Sequence, residues 1–200
     1  MALTRLAING YASVELNRVS FSKTGRVIAD LPLAEAFDED NRAEAGMLLA
    51  YDYAKGEVSF PVDADEALLG IHYTTEKEYY DHKTGLNTFS LKAGLPSKYS
   101  GRSTEFGPRL GILSVGERIT TNCIAYEKVE GETGDFADDD ALKAAVAAAG
   151  TTPVYGYACE NGAIHLTLTA PTTEKVVLQV EKATTVPNGD YGVKLFVIKA

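Results

Sequence analysis

The chain has 200 residues, 45% of them hydrophobic, with 28 acidic against 19 basic side chains and a formal net charge of −9. That length makes one large domain or two small ones, and the apolar content is enough for a real core, which excludes a disordered polar chain. The negative balance argues against a nucleic-acid binder, which needs clustered Lys and Arg to displace counterions, and against docking on an anionic membrane surface. It suits either simple solubility or faster encounter with a basic partner.

Val, Ile, Thr and Tyr are abundant, Trp is absent and 18 glycines supply turns. The composition therefore predicts a β-rich protein. The opening residues 1–16 lack the basic and apolar regions of a signal peptide, and no window approaches the eighteen or so consecutive apolar residues of a membrane span. The expectation is a chain made in the cytoplasm.

In residues 11–33, Val14, Leu16, Val19 and Phe21 alternate with polar residues, a turn follows at Ser22 to Gly25, and residues 26–31 return. This predicts a hairpin that Pro32 stops. Residues 34–45 suit a short helix or a loop. The run at residues 46–75 predicts three strands. Met47, Leu48, Leu49 and Tyr51 fill the first, residues 57–60 alternate in the second, and residues 68–73 make the third, interrupted by Gly70. Turns separate them at residues 52–56 and 61–66.

Residues 76–107 read as a long loop with one strand at residues 86–91, and loops of that length are usually functional. Within it Tyr79, Tyr80 and Tyr99 stand in polar surroundings. They are candidate partner contacts, or rings folded back over the core with wet hydroxyls. Residues 108–126 predict two strands around a Val-Gly-Glu turn.

An acidic run then leads into ALKAAVAAAG, the clearest helix. Asp138 or Asp139 caps it, acids favour its N-terminal dipole and Gly150 stops it. Beyond Pro153 two hairpins are expected, one turning at Asn161-Gly162 and one at residues 187–190. The best boundary lies at residues 130–140. It divides a β-rich domain at residues 1–129 from a helix with hairpins at residues 130–200, packed on the first as a subdomain.

Catalytic signals are sparse. His72, His82 and His165 fall in no metal-binding spacing. His72 and His165 sit in strand runs as structural histidines, and His82 is solvated. Cys123 and Cys159 read as small buried hydrophobes, with a bridge between them left open. The acids at residues 135–140 lack the spacing of a calcium loop. Asp63, Asp65 and Glu66 lie in one turn rather than across a cleft, so they do not read as a glycosidase pair. The SKTG and KTG segments lack phosphate-loop or SxxK context. No enzyme, cofactor or metal is expected. A small hydrolase using Asp63, Asp65 or His165 has no supporting geometry in the sequence.

The order within residues 46–75 carries a resemblance: Gly-apolar-Leu, an acid, a Lys-Gly turn, a strand, a PxDAD-like turn and an apolar-Gly-Ile strand. It resembles the lambda-type head-decoration (cement) proteins of tailed bacteriophages, over about thirty residues. The LNRVSFSKTGRVIA and GERITTNCIAY segments are similar in character to phage virion structural proteins. The resemblance implies a mainly β fold, barrel- or β-tulip-like with hairpins, plus one or two short helices. It implies a non-enzymatic virion protein, homo-oligomeric, that binds the major capsid protein and stabilises the shell surface without nucleic acid or membrane. On that reading Leu3, Leu6 and Ile8 belong to an arm laid along a coat-protein edge, or else to the first core strand. The alternative function is a carbohydrate- or receptor-binding module of a phage tail, which the tyrosine-bearing loop would serve. Against it stands the lack of Trp.

Overall fold

The computed structural model describes residues 12–37, 43–61, 67–73, 79–81, 86–89, 108–129, 131–186 and 189–200. Two sheets organise them. The larger has seven strands in the order β1-β9-β16-β15-β13-β14-β10. These are β1 (Val14–Arg18), β9 (Arg118–Thr121), β10 (Ile124–Ala125), β13 (Tyr155–Ala158), β14 (Ile164–Thr167), β15 (Val177–Thr185) and β16 (Tyr191–Lys199). The second has five, β2-β8-β5-β3-β4: β2 (Val27–Ile28), β3 (Leu48–Asp52), β4 (Glu57–Ser59), β5 (Leu69–His72) and β8 (Leu110–Gly111). Two short pairs, β6 (Tyr79–Asp81) with β7 (Leu86–Phe89) and β11 (Glu127–Val129) with β12 (Glu132–Thr133), complete the strands.

The fold is mainly β with few helices, as the composition predicts. The barrel is not formed among the described residues, because the seven-stranded sheet ends in two edges, β1 and β10. The helices among the described residues are α1 (Phe21–Thr24), a single turn, and α2 (Asp139–Ala147). No helix among the described residues is long and apolar enough to cross a membrane.

Alternation explains the core. Leu48 and Ile71 face each other across β3 and β5 and turn to one side, where they join Phe21 and the inner residues of the large sheet: Ile119, Ile164, Leu166, Leu178 and Leu195. Leu49 turns to the other side with Met47, Val58, Leu110 and Phe37. Every residue of β5 is buried, so the middle of the small sheet is covered on both faces. The hydrogen bond from Leu48 N to Gly162 O, 2.8 Å, ties β3 to the β13–β14 turn.

Helix α2 lays Leu142 and Val146 into the same core against β15. Asp138 caps it by accepting from Ala141 N at 2.9 Å. Its end departs from expectation. The amide of Ala148 closes onto the carbonyls of the last turn, and Gly150, which lacks positive φ, lies beyond the stop.

Several pairings differ from the expected hairpins. Residues 11–33 do not fold back on themselves: β1 pairs with β9, Phe21–Thr24 becomes helical, and β2 pairs with β8. The reason is burial of Phe21, which plugs the core from α1 rather than pointing out from an extended strand. Residues 34–37 make a turn, with Phe37 N donating to Ala34 O, and residues 38–42 lie outside the described set. The segment at residues 108–126 sends β8 and β9 to different sheets. Tyr79 and Tyr80, expected in a loop, belong to the β6–β7 pair. Both late hairpins form, β13 with β14 and β15 with β16. At residues 130–140, expected as a boundary, β12 and the start of α2 are found instead. The large sheet takes β1, β9 and β10 from one side of that boundary and β13 to β16 from the other, with β16 hydrogen-bonded to β9.

Candidate interaction site

Several ionisable groups inside the described fold are engaged structurally. His72 Nδ1 lies 2.9 Å from the Glu44 carbonyl oxygen, an acceptor, so this nitrogen carries the proton. Burial pushes the imidazole down to about 4, against the opposing pull of that carbonyl and of the Glu44 charge. The buried Glu44 carboxylate accepts Ala12 N at 2.7 Å. Asn122 accepts Ser13 N at 2.7 Å and donates to Asp190, and Thr121 donates to Ser13 O. Together they stitch residues 12 and 13 onto the sheets.

Cys159, His165 and Asp135 are the residue types of a nucleophile, a base and an orienting acid, but their bonding is different. The Cys159 thiol donates to the Glu127 carbonyl at 3.4 Å, and burial raises its pKa, with Cys123 and Glu160 adding to the rise. An activated thiol needs the opposite shift and access to solvent. Asp135 spends one carboxylate oxygen on Thr167 Oγ1 and Leu168 N, each at 2.6 Å. Cys123 and Cys159 are both buried and carry no disulfide. Among the described residues no group of three His, Cys, Asp or Glu side chains is placed to hold a metal ion.

The surface offers a different kind of site. Hairpin β3–β4 pairs Tyr51 with Val58 and Asp52 with Glu57. Its turn is closed by Gly56 N on Asp52 O at 2.8 Å, with the Asp52 side chain accepting Ala54 N and Lys55 N. Such a tip projects from the sheet, and it carries Tyr53, 62% exposed, edge-on to Tyr51 with ring centroids 6.0 Å apart. The amide of Tyr51 donates to Leu68 O at 3.0 Å, which brings Leu68, 60% exposed, alongside. Tyr51, Tyr53, Phe60 and Leu68 thus line an open groove of about 550 Å³. The ion pair of Asp52 with Lys55 at 3.9 Å beside this groove is exposed and contributes little to stability. Large apolar side chains left in water side by side add nothing to folding, and such patches mark recognition surfaces.

Of the expected contact residues, Leu3, Leu6, Ile8 and Tyr99 lie outside the described residues, as do Asp63, Asp65, Glu66 and His82. Tyr79 stands opposite Phe89 and Tyr80 opposite Asn87 in the β6–β7 pair. Tyr53 and Leu68 were not singled out by the sequence: residues 52–56 read as a turn and Leu68 as the start of a core strand. The available signal was an aromatic residue inside a tight turn, a position that packing cannot use. A scan against protein-family models and searches of curated proteins and of solved structures return no match.

Proposed function

We propose that this chain is a non-enzymatic virion structural protein that binds and stabilises a bacteriophage capsid surface. The observation that carries the reading is the exposed Tyr53–Leu68 groove. A cement protein acts through modest contacts repeated over a lattice, and an aromatic-aliphatic anchor on a stiff hairpin suits that task. The partner is then the major capsid protein, the chain is a homo-oligomer, and its place is the shell surface of the virion. The resemblance of residues 46–75 to lambda-type decoration proteins supports the same choice.

The test is cosedimentation with expanded, undecorated capsids of the encoding phage across a salt series. Saturable binding at a fixed ratio per coat subunit is expected, with a rise in capsid melting temperature. No binding at any salt overturns the reading. The paired Tyr51 and Tyr53 rings beside a groove favour a second reading, a carbohydrate- or receptor-binding module of a phage tail. Glycan-array binding that tracks Tyr53, in the absence of capsid binding, would select it.

A further inference from the structure

His165 and Tyr157 stand opposite each other on β14 and β13, on the face turned away from Ile164 and Leu166. The imidazole is 2% exposed and its Nδ1 has no hydrogen-bond partner. What covers it is backbone. A Cβ built on Gly134 would lie 2.5 Å from His165 Cε1 and 2.6 Å from Nε2, so only glycine passes at this point. Gly134 directly follows the β11–β12 hairpin, in which Lys128, Gly131, Glu132 and Thr133 are exposed.

Three fastenings hold it down. Gly134 N donates to Tyr126 O at 3.3 Å, the Asp135 carboxylate clasps Thr167 at the end of β14 and Leu168 just beyond it, and the Cys159 thiol donates to Glu127 O on β11. Phe136, buried in the core, anchors the far end. A segment fixed by a few polar contacts, with its described residues Lys128 and Gly131 to Asp135 exposed, belongs to the low-stability end of a fold.

We propose that the β11–β12 hairpin with Gly134 and Asp135 is an acid-released strap: when His165 takes up a proton, the strap lifts from β14 and uncovers the Cys159 thiol while the sheet beneath stays folded. The charged groups around the ring set the balance. Burial holds the imidazole neutral and its pKa below the usual histidine value; the backbone carbonyls of Glu127 and Ala125 and the Asp135 carboxylate favour the cation, and Lys128 opposes it. Tyr157, raised to about 12, and Cys159, also raised, add no charge near neutrality. A proton on His165 therefore gains solvation only if the cover moves. Stability of the closed strap is full above the unfolded histidine pKa and is lost as pH falls below it; the Asp135 clasp, whose carboxyl is held low by the Thr167 and Leu168 hydrogen bonds, yields only at more acid pH.

Cys123 is the comparison thiol: it is buried beside Gly46 in the same apolar cluster as Cys159, so its rate reports opening of the shared core. The experiment labels the full chain with 4,4′-dithiodipyridine and reads each cysteine by mass spectrometry, normalised to its rate in the unfolded chain. The Cys159 to Cys123 ratio is expected to rise about tenfold between about pH 7.5 and 5.5, as protonation favours the open form. H165Q is expected to abolish the rise. A flat ratio, or a rise that survives in H165Q, overturns the proposal. Should H165Q fail to fold by near-ultraviolet circular dichroism, G134A decides: a raised ratio at pH 7.5 supports the strap, and an unchanged ratio overturns it.

Discussion

Glu117 holds Ser20 across 97 positions of sequence: one carboxylate oxygen accepts the Ser20 amide at 2.7 Å and also the Ser20 hydroxyl. The same oxygen takes Arg26 at 3.0 Å, and the second oxygen accepts Ser114 N at 3.0 Å. One buried acid thereby fixes the start of α1, the entry to β2 and the turn before β9. Burial alone would push its carboxyl up; the bonds from Ser20 and Ser114, with Arg26, outweigh that and hold it below the usual range.

Glu117→Ala should therefore destabilise the fold by about 2–4 kcal/mol, since it leaves several donors unmatched in a buried place. Urea unfolding measures this, with the m-value unchanged. Glu117→Gln, which keeps one acceptor, should lose less. Equal losses in the two variants would show that the carboxylate charge, rather than the number of acceptors, is what matters.

His72 makes stability fall in mild acid. Its folded pKa of about 4 lies below the ordinary value of 6.5, so the unfolded chain binds the proton more readily. The contribution is full above pH 6.5 and is lost as pH falls towards 4, a decline on the order of 3 kcal/mol at one pKa unit per 1.36 kcal/mol. Urea midpoints between those pH values should drop in the native chain and flatten in His72→Gln. A parallel drop in both would assign the acid sensitivity to other groups.

Tyr53→Ala and Leu68→Ser should leave stability within about 0.5 kcal/mol of the parent, as exposed substitutions do. If the groove is the capsid contact proposed above, truncating a hot-spot tyrosine costs about 2 kcal/mol or more of binding, and capsid affinity should fall at least tenfold. Unchanged cosedimentation of the double variant would remove the groove from the interface.

Asp138→Ala removes the only side-chain cap of α2 and should cost about 1 kcal/mol. Leu142→Ala, on the buried face of the same helix, should cost about 2–5 kcal/mol through cavity formation. Thermal melts of the two variants should rank in that order.

Local pattern sufficed to mark strands bounded by turn residues, whether or not successive strands pair: β3 pairs with both β4 and β5, which do not pair with each other. Residues 46–75 announce β3, β4 and β5 by their alternation and their turn residues, and Asn161-Gly162 announces the β13–β14 hairpin, with Gly162 at φ 81°. The capped helix at Asp139–Ala147 is equally local. The β-rich class follows from composition and these periods.

What the sequence alone left open was every partnership between distant segments. β1 pairs with β9 more than 100 residues away, β10 runs parallel to β14, and β2 pairs with β8. Residues 14–21 alternate well enough to be a hairpin arm, yet Phe21 buries fully only when the chain turns helical there. The site divides the same way. A tyrosine in a tight turn is visible in sequence, but its meeting with Leu68 in one groove, and the seating of Gly134 on His165, exist only once the sheets are stacked. Periodicity tells which face of a segment seeks burial; which other face covers it is decided by competition among all apolar surfaces of the chain, and only the assembled core records the result.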